Sequence, residues 1–179
     1  MKLLVAGDMH IPHRASEIPR GFWEVFEEIS PDIIILTGDY TEKRVYEEFS
    51  KRGKTYAVRG NMDRFRDLPL EASLEVEGIR IGVIHGHQIF PRGDRNKLLR
   101  YAESKDLKIL FHGHTHLFDV YEASGRLLIN PGTLTAARGG IALEPEHSFA
   151  EISIGEKIEV KKRLLEDKRE VVAMRRFRL

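Results

Sequence analysis

The chain has 179 residues, 41% hydrophobic and 32% charged, with no cysteine and a formal net charge of +1. That length predicts a single domain over residues 1–179 with enough apolar surface to fold without a staple, and the lack of cysteine excludes a disulfide framework, a Cys-based zinc site and a cysteine nucleophile. No apolar run reaches the roughly 18 residues of a membrane helix and no signal-peptide pattern opens the chain, so a soluble, cytoplasmic protein is expected.

From the N-terminus, Lys2 to Ala6 reads as a buried strand that runs into Gly7–Asp8–Met9–His10. Ile18 to Ile29 has apolar residues at helical spacing (Phe22, Val25, Phe26, Ile29), and Asp32 to Thr37 is a second buried strand. Thr41 opens a short helix through Phe49, and Thr55 to Val58 is a third strand. This β-α-β-α-β order, with crossovers of helix length, predicts parallel pairing.

The second half is built differently. Leu74 to Ile81 alternates around Gly78 and predicts a hairpin. A helix follows over Asp94 to Ser104, then a buried strand at Leu107 to Phe111. Leu117 to Tyr121 pairs with Arg126 to Ile129, and Phe149 to Ile154 with Ile158 to Leu164. A parallel half and a hairpin-rich half predict an α/β fold of two sheets packed face to face.

The last stretch is basic: Val160 to Leu179 holds eight Lys/Arg against three Asp/Glu. Residues 166–179 read as a final edge strand whose cations form a solvated face that resists aggregation. With no aromatic platform and a near-neutral chain, nucleic acid is not the favoured partner. Many Lys, Arg and Glu beside only three Asn and one Gln predict a heat-adapted source.

Five predicted strands end in polar residues next to glycine: Gly7–Asp8–Met9–His10, Gly38–Asp39, Gly60–Asn61–Met62–Asp63, His85–Gly86–His87 and Gly113–His114–Thr115–His116. Strand C-terminal ends are where α/β sheets form their ligand crevices. On extended backbone, Asp8 and His10, like His114 and His116, would project to one side. A single Asp or His at a strand end is ordinarily a cap or turn residue. Five such ends in register are not what capping produces. Asp, Asn and imidazole suit borderline divalent ions, with Mn²⁺ the first expectation and Ni²⁺, Fe²⁺, Co²⁺ or Zn²⁺ alternatives. Seven such ligands exceed the needs of one ion, whereas two ions sharing a carboxylate use them economically.

The series GDMH, GDY, GNMD, HGH and GHTH resembles the calcineurin-like metallophosphoesterase superfamily over about residues 1–165. Within it, DMHIPHRASEIP, IHGHQIFPRGD and NPGT resemble the small single-domain phosphodiesterases of archaea and bacteria. They are also similar to the metallophosphoesterase-fold subunit of the retromer coat, a scaffold. The resemblance implies a four-layer αββα sandwich. It also implies one ion on Asp8, His10, Asp39 and His116 and a second on Asp39, Asn61, His85 and His114, with Asp39 bridging. The implied activity is hydrolysis of a small phosphodiester by in-line attack of a metal-bridging hydroxide. A nuclease and a non-catalytic scaffold are the alternatives, and the oligomeric state is open. Retention of Asp39 and Asn61, where the retromer relative departs, favours an enzyme.

Many relatives carry a histidine after the motif asparagine, where this chain has Met62, which donates no proton. His87 is therefore the first candidate for the acid, alongside the bridging Asp39 as a catalytic residue, with His13 behind it. Asp63 is expected to orient a ligand histidine, and Asn130 to shape the loop beside the site. His112 is expected to be a satisfied core histidine and His147 to be solvated.

Overall fold

The computed structural model describes residues 1–141, 144–166 and 169–177. Its elements, in order, are β1 (Lys2–Ala6), α1 (Arg20–Ile29), β2 (Ile33–Leu36), α2 (Lys43–Ser50), β3 (Thr55–Ala57), β4 (Glu71–Val76), β5 (Ile79–Ile84) and α3 (Arg95–Ser104). They continue as β6 (Ile109–Phe111), β7 (Phe118–Ala123), β8 (Arg126–Pro131), β9 (Ser148–Ile154), β10 (Ile158–Glu166) and β11 (Arg169–Phe177). Two mixed sheets result, in the orders β11-β10-β9-β1-β2-β3 and β4-β5-β6-β8-β7. The strands β1, β2 and β3 are parallel in the first sheet, as are β5, β6 and β8 in the second.

Alternation along the strands explains the layering. Leu3 and Val5 of β1, with Ile33 and Ile35 of β2, meet Ile81, Val83, Ile109 and Phe111 of the other sheet. Leu4, Ala6, Ile34 and Leu36 point the opposite way, onto Phe22, Phe26 and Ile29 of α1 and Val45 and Phe49 of α2. On the far side, Leu110 and Leu128 pack on Leu98 and Ala102 of α3. Both faces of each inner strand are covered, which is why these strands read as unbroken apolar runs. The order α1/α2, sheet, sheet, α3 is the expected αββα sandwich.

Two local expectations change. Thr41 does not open α2: its backbone is left-handed (φ 76°), its N–H is bonded to Asp63 Oδ1 at 2.7 Å, and the helix starts at Lys43. The tail does form the edge strand β11, paired only with β10. In the neighbouring strand β10, part of the basic charge is not solvated. Lys161 and Arg163 converge on Glu151, only 4% exposed, with Lys161 Nζ and Arg163 Nε each 2.8 Å from a carboxylate oxygen. His147 is half-buried rather than solvated, with Nδ1 3.2 Å from the Leu134 carbonyl. No helix among the described residues is long and apolar enough to cross a membrane.

Candidate metal centre

The parallel strands of both sheets release their chains at one edge. Asp8 follows β1, Asp39 follows β2, Asn61 follows β3, His85 follows β5, and His114 and His116 follow β6. Main-chain bonds carry the pairing past the strand ends: Asp8 N–H donates to Gly38 O (2.9 Å), His10 N–H to Asp39 O (2.8 Å) and Gly113 N–H to His85 O (2.8 Å). Extended alternation is not what makes the side chains converge. Asp8, His10, Asp39, His114 and His116 all have φ between 51° and 72°. A left-handed residue costs about 1–3 kcal/mol outside glycine, and five at one spot store backbone strain at the site.

Two groups result. Asp8, His10 and His116 form one and Asp39, His85 and His114 the other, each with one ligand atom per residue inside a 4.8 Å span. In the first, His10 Nε2 lies 3.1 Å from His116 Nε2, and Asp8 Oδ1 lies 3.4 Å from the same His116 nitrogen. In the second, His85 Nε2 is 3.2 Å from His114 Nδ1 and 3.2 Å from Asn61 Oδ1. Asp39 Oδ2 stands between them, 3.5 Å from His10 Nε2 and 3.3 Å from His85 Nε2.

The donor chemistry fits divalent cations. Imidazole nitrogens that face each other at about 3 Å need a proton or a cation between their lone pairs. Asp8 Oδ1 is buried without a hydrogen-bond partner, although an orphaned carboxylate oxygen is expensive in a protein interior. A cation held within each group would meet both needs.

The imidazoles are aimed by backbone carbonyls. His85 Nδ1–H donates to Thr37 O (2.9 Å) and His116 Nδ1–H to Ala137 O (2.6 Å), turning each Nε2 into the centre. Asp63 does not orient a histidine. Its carboxylate accepts from the N–H groups of Asp39 (3.0 Å), Thr41 (2.7 Å) and Gly60 (2.7 Å), so it fixes the turn that carries Asp39. Met62 N–H donates to Asp39 Oδ1 at 2.8 Å. Asn130, fully buried, ties the other sheet's loop: Nδ2 donates to Gly113 O (3.0 Å) and Thr115 Oγ1 (2.9 Å), and Oδ1 accepts from Gly132 N–H (2.9 Å). His112 is buried, with Nδ1 3.3 Å from Asn130 Nδ2.

Burial, opposed by His85, pushes the Asp8 carboxyl up to about 7. Burial alone would raise Asp39 as well, but the hydrogen bond and charge of His85 hold it below the usual carboxylate range. His85 is pushed up to about 9: burial opposes its charge, while Asp39 and Asp8 more than offset that. Burial drives His10 and His114 down to about 3, and His116 down as well. Without cations, one imidazolium held between two carboxyl groups fills the electrostatic role of the centre.

His87 sits at the rim, half-buried, its ring centroid 5.4 Å from that of His85 and 6.3 Å from that of His114. Its Nδ1 is buried without a partner. His13 is exposed and accepts from Arg64 Nη2 at 2.9 Å. Sequence reasoning missed Thr37 and Ala137, which act through main-chain carbonyls that carry no side-chain signal.

Comparison with known proteins agrees with this geometry. The family model for the calcineurin-like phosphoesterase superfamily domain matches residues 1–154. A probable metallophosphoesterase of Methanocaldococcus jannaschii is 37% identical over 161 residues, covering 90% of this chain and 80% of that protein. Vacuolar protein sorting 29 of Cryptosporidium parvum superposes with a TM-score of 0.94 at 28% identity, over 99% of this chain and 98% of that one. The Entamoeba histolytica Vps29 complexed with zinc superposes with a TM-score of 0.88 at 30% identity, over 99% and 98%. On the match over residues 1–154 and the 37% identity to the archaeal relative, the chain belongs to the calcineurin-like phosphoesterase superfamily.

Proposed function

We propose that this chain is a dinuclear-metal-dependent phosphodiesterase acting on small phosphodiesters. The observation that carries the reading is Asp39 Oδ2, which lies within 3.5 Å of an imidazole nitrogen from each of the two donor groups. Asp8, His10, Asp39 and His116 would hold one ion, and Asp39, Asn61, His85 and His114 the other. When bound, two divalent ions, Mn²⁺ foremost, supply a nucleophile from water at neutral pH and positive charge against that which develops on the phosphoryl oxygens. Asp39 would be the ligand shared by the two ions, and its bonds with Asp63 and Met62 N–H hold it in place. The Thr37 and Ala137 carbonyls hold His85 and His116 in the ligating tautomer.

His87 is the residue assigned in this reading to give a proton to the leaving oxygen. Its Nδ1 is buried without a partner, so Nε2 is the nitrogen that would give the proton. Burial first and the His85 charge second lower its pKa in the free protein. A phosphate anion bound beside it acts in the opposite direction and restores the proton where it is used.

A protein-interaction scaffold is the second reading. The Vps29 likeness and Phe90, 81% exposed on the loop after His87, favour it. The complete donor set favours the enzyme. A screen of metals against aryl phosphodiesters, with Asp39→Ala as control, separates the two. Metal-stimulated diester cleavage lost in the variant supports the enzyme. A purified protein that takes up no transition metal and cleaves no diester overturns it.

A further inference from the structure

Most basic side chains near this centre are already engaged. Arg95 is paired with Asp119, Arg64 with His13, and Arg14 donates to Arg138 O at 3.0 Å. Arg59 differs. It is half-buried at the end of β3, directly before Gly60–Asn61, and no acceptor among the described residues meets its guanidinium. Partial burial of a cation without a counter-charge is unfavourable unless a ligand supplies one.

Main-chain and side-chain links place the turn that carries Arg59 beside the rim of the candidate metal centre. Arg59 N–H donates to Pro69 O at 2.7 Å, and Gln88 Nε2 donates to the adjacent Leu70 O at 3.2 Å. Gln88 Oε1 in turn accepts from Gly86 N–H at 3.0 Å. Residues 69 and 70 therefore join the turn carrying Arg59 to the turn carrying His85 and His87. Arg59 lies close enough to His87 for its charge to act on that ring, and exposed Arg92 acts likewise on His114.

Charge balance gives this placement a meaning. Two dications against the carboxylates of Asp8 and Asp39 leave the centre net positive, and Arg59 and Arg92 add to that on one flank. A simple diester carries one negative charge and presents nothing to a guanidinium beyond the phosphate at the centre. A second phosphoryl group does, and the planar fork of arginine matches its oxygens in pairs. We infer that Arg59 is a specificity-determining residue that binds a second phosphate, so that the preferred substrates are phosphodiesters carrying a further phosphoryl group. This rests on the phosphodiesterase reading, and its test does not depend on turnover.

The probes are adenosine 3′,5′-bisphosphate and adenosine 5′-monophosphate, titrated calorimetrically into the manganese-loaded protein. Wild type is expected to bind the bisphosphate at least tenfold more tightly than the monophosphate, and Arg59→Met to reduce that preference below twofold. Arg59→Lys, which keeps the charge without the fork, serves if the Met variant does not fold, and its preference should fall below threefold. A wild type with no preference, or a folded Met variant that keeps it, overturns the assignment. Failure to cleave any aryl diester with any metal overturns the enzymatic reading instead and leaves the binding result interpretable.

Discussion

Asp63→Asn tests how the centre is built, because it removes one acceptor oxygen and changes almost no volume. Asp63 Oδ2 accepts from both Asp39 and Gly60 N–H, while Oδ1 accepts from Thr41 N–H, and Thr41 is fully buried. An asparagine keeps the doubly used site by placing its oxygen there, which turns its NH₂ toward the Thr41 donor. One buried N–H is then orphaned, at a cost of about 1–3 kcal/mol. Taking about 2 kcal/mol, and about 2–4 °C per kcal/mol at this chain length, the melting temperature should fall about 4–8 °C. Calorimetry of the metal-free protein in chelator gives that number directly. Because the same turn holds Asp39, metal affinity should also fall about tenfold or more, the usual effect of losing a partner behind a ligand. A variant that melts within about 1 °C of wild type and binds metal equally well would refute this account of the Asp39 turn.

Gly60→Ala places a methyl group 2.5 Å from Asp39 N and 2.7 Å from its Cγ. Backbone has to move, so about 1–3 kcal/mol of destabilisation and loss of metal by elemental analysis are expected; full metal content would contradict the packing. Metal affinity should rise with pH from 7 to 9, because binding must expel the proton that Asp39 and Asp8 hold on His85 up to about 9. The gain is about tenfold per pH unit for one proton displaced, and calorimetry in two buffers of different ionisation enthalpy counts that proton. A flat affinity profile would count against it. His87→Gln should slow alkyl diesters about 10²–10⁴-fold and activated aryl diesters far less, since only the poorer leaving group needs the acid. Equal losses in steady-state kinetics would remove His87 from that role.

The layers were legible because burial on two faces leaves an unambiguous mark: Ile33 to Leu36 and Leu3 to Ala6 are apolar without interruption. The donor set was legible for a related reason, since each polar cluster directly follows such a run. The local geometry was not. A His two residues from an Asp reads as extended alternation, yet Asp8 and His10 both stand at φ 51°. That conformation is imposed from outside the segment, by main-chain bonds to Gly38, Asp39 and Tyr40 that only the folded sheet supplies. Asp63 was misassigned for the same reason. Its partners, the N–H groups of Asp39 and Thr41, are 24 and 22 residues away in sequence.

Those observations account for where strain is tolerated in this fold. Gly113, from the second sheet, has room for no Cβ: one placed there would lie 2.7 Å from Asp8 Oδ2 and 2.9 Å from Thr37 Oγ1, both of the first sheet. The His114 N–H likewise reaches across to Asp8 Oδ2 at 2.8 Å. The two sheets are therefore locked together at the edge where the donors lie, by the same carboxylate whose other oxygen is left free for a ligand. One oxygen of Asp8 makes the structural contact and the other is available for chemistry, so Asp8→Asn should separate the two roles. An amide that keeps its oxygen on His114 N–H turns its NH₂ toward His116 Nε2, which it can satisfy as a donor. The variant is then expected to stay folded in chelator and to lose metal from the first donor group. A variant that unfolds without metal would show that the charge of Asp8, and not its geometry, holds the sheets at this edge.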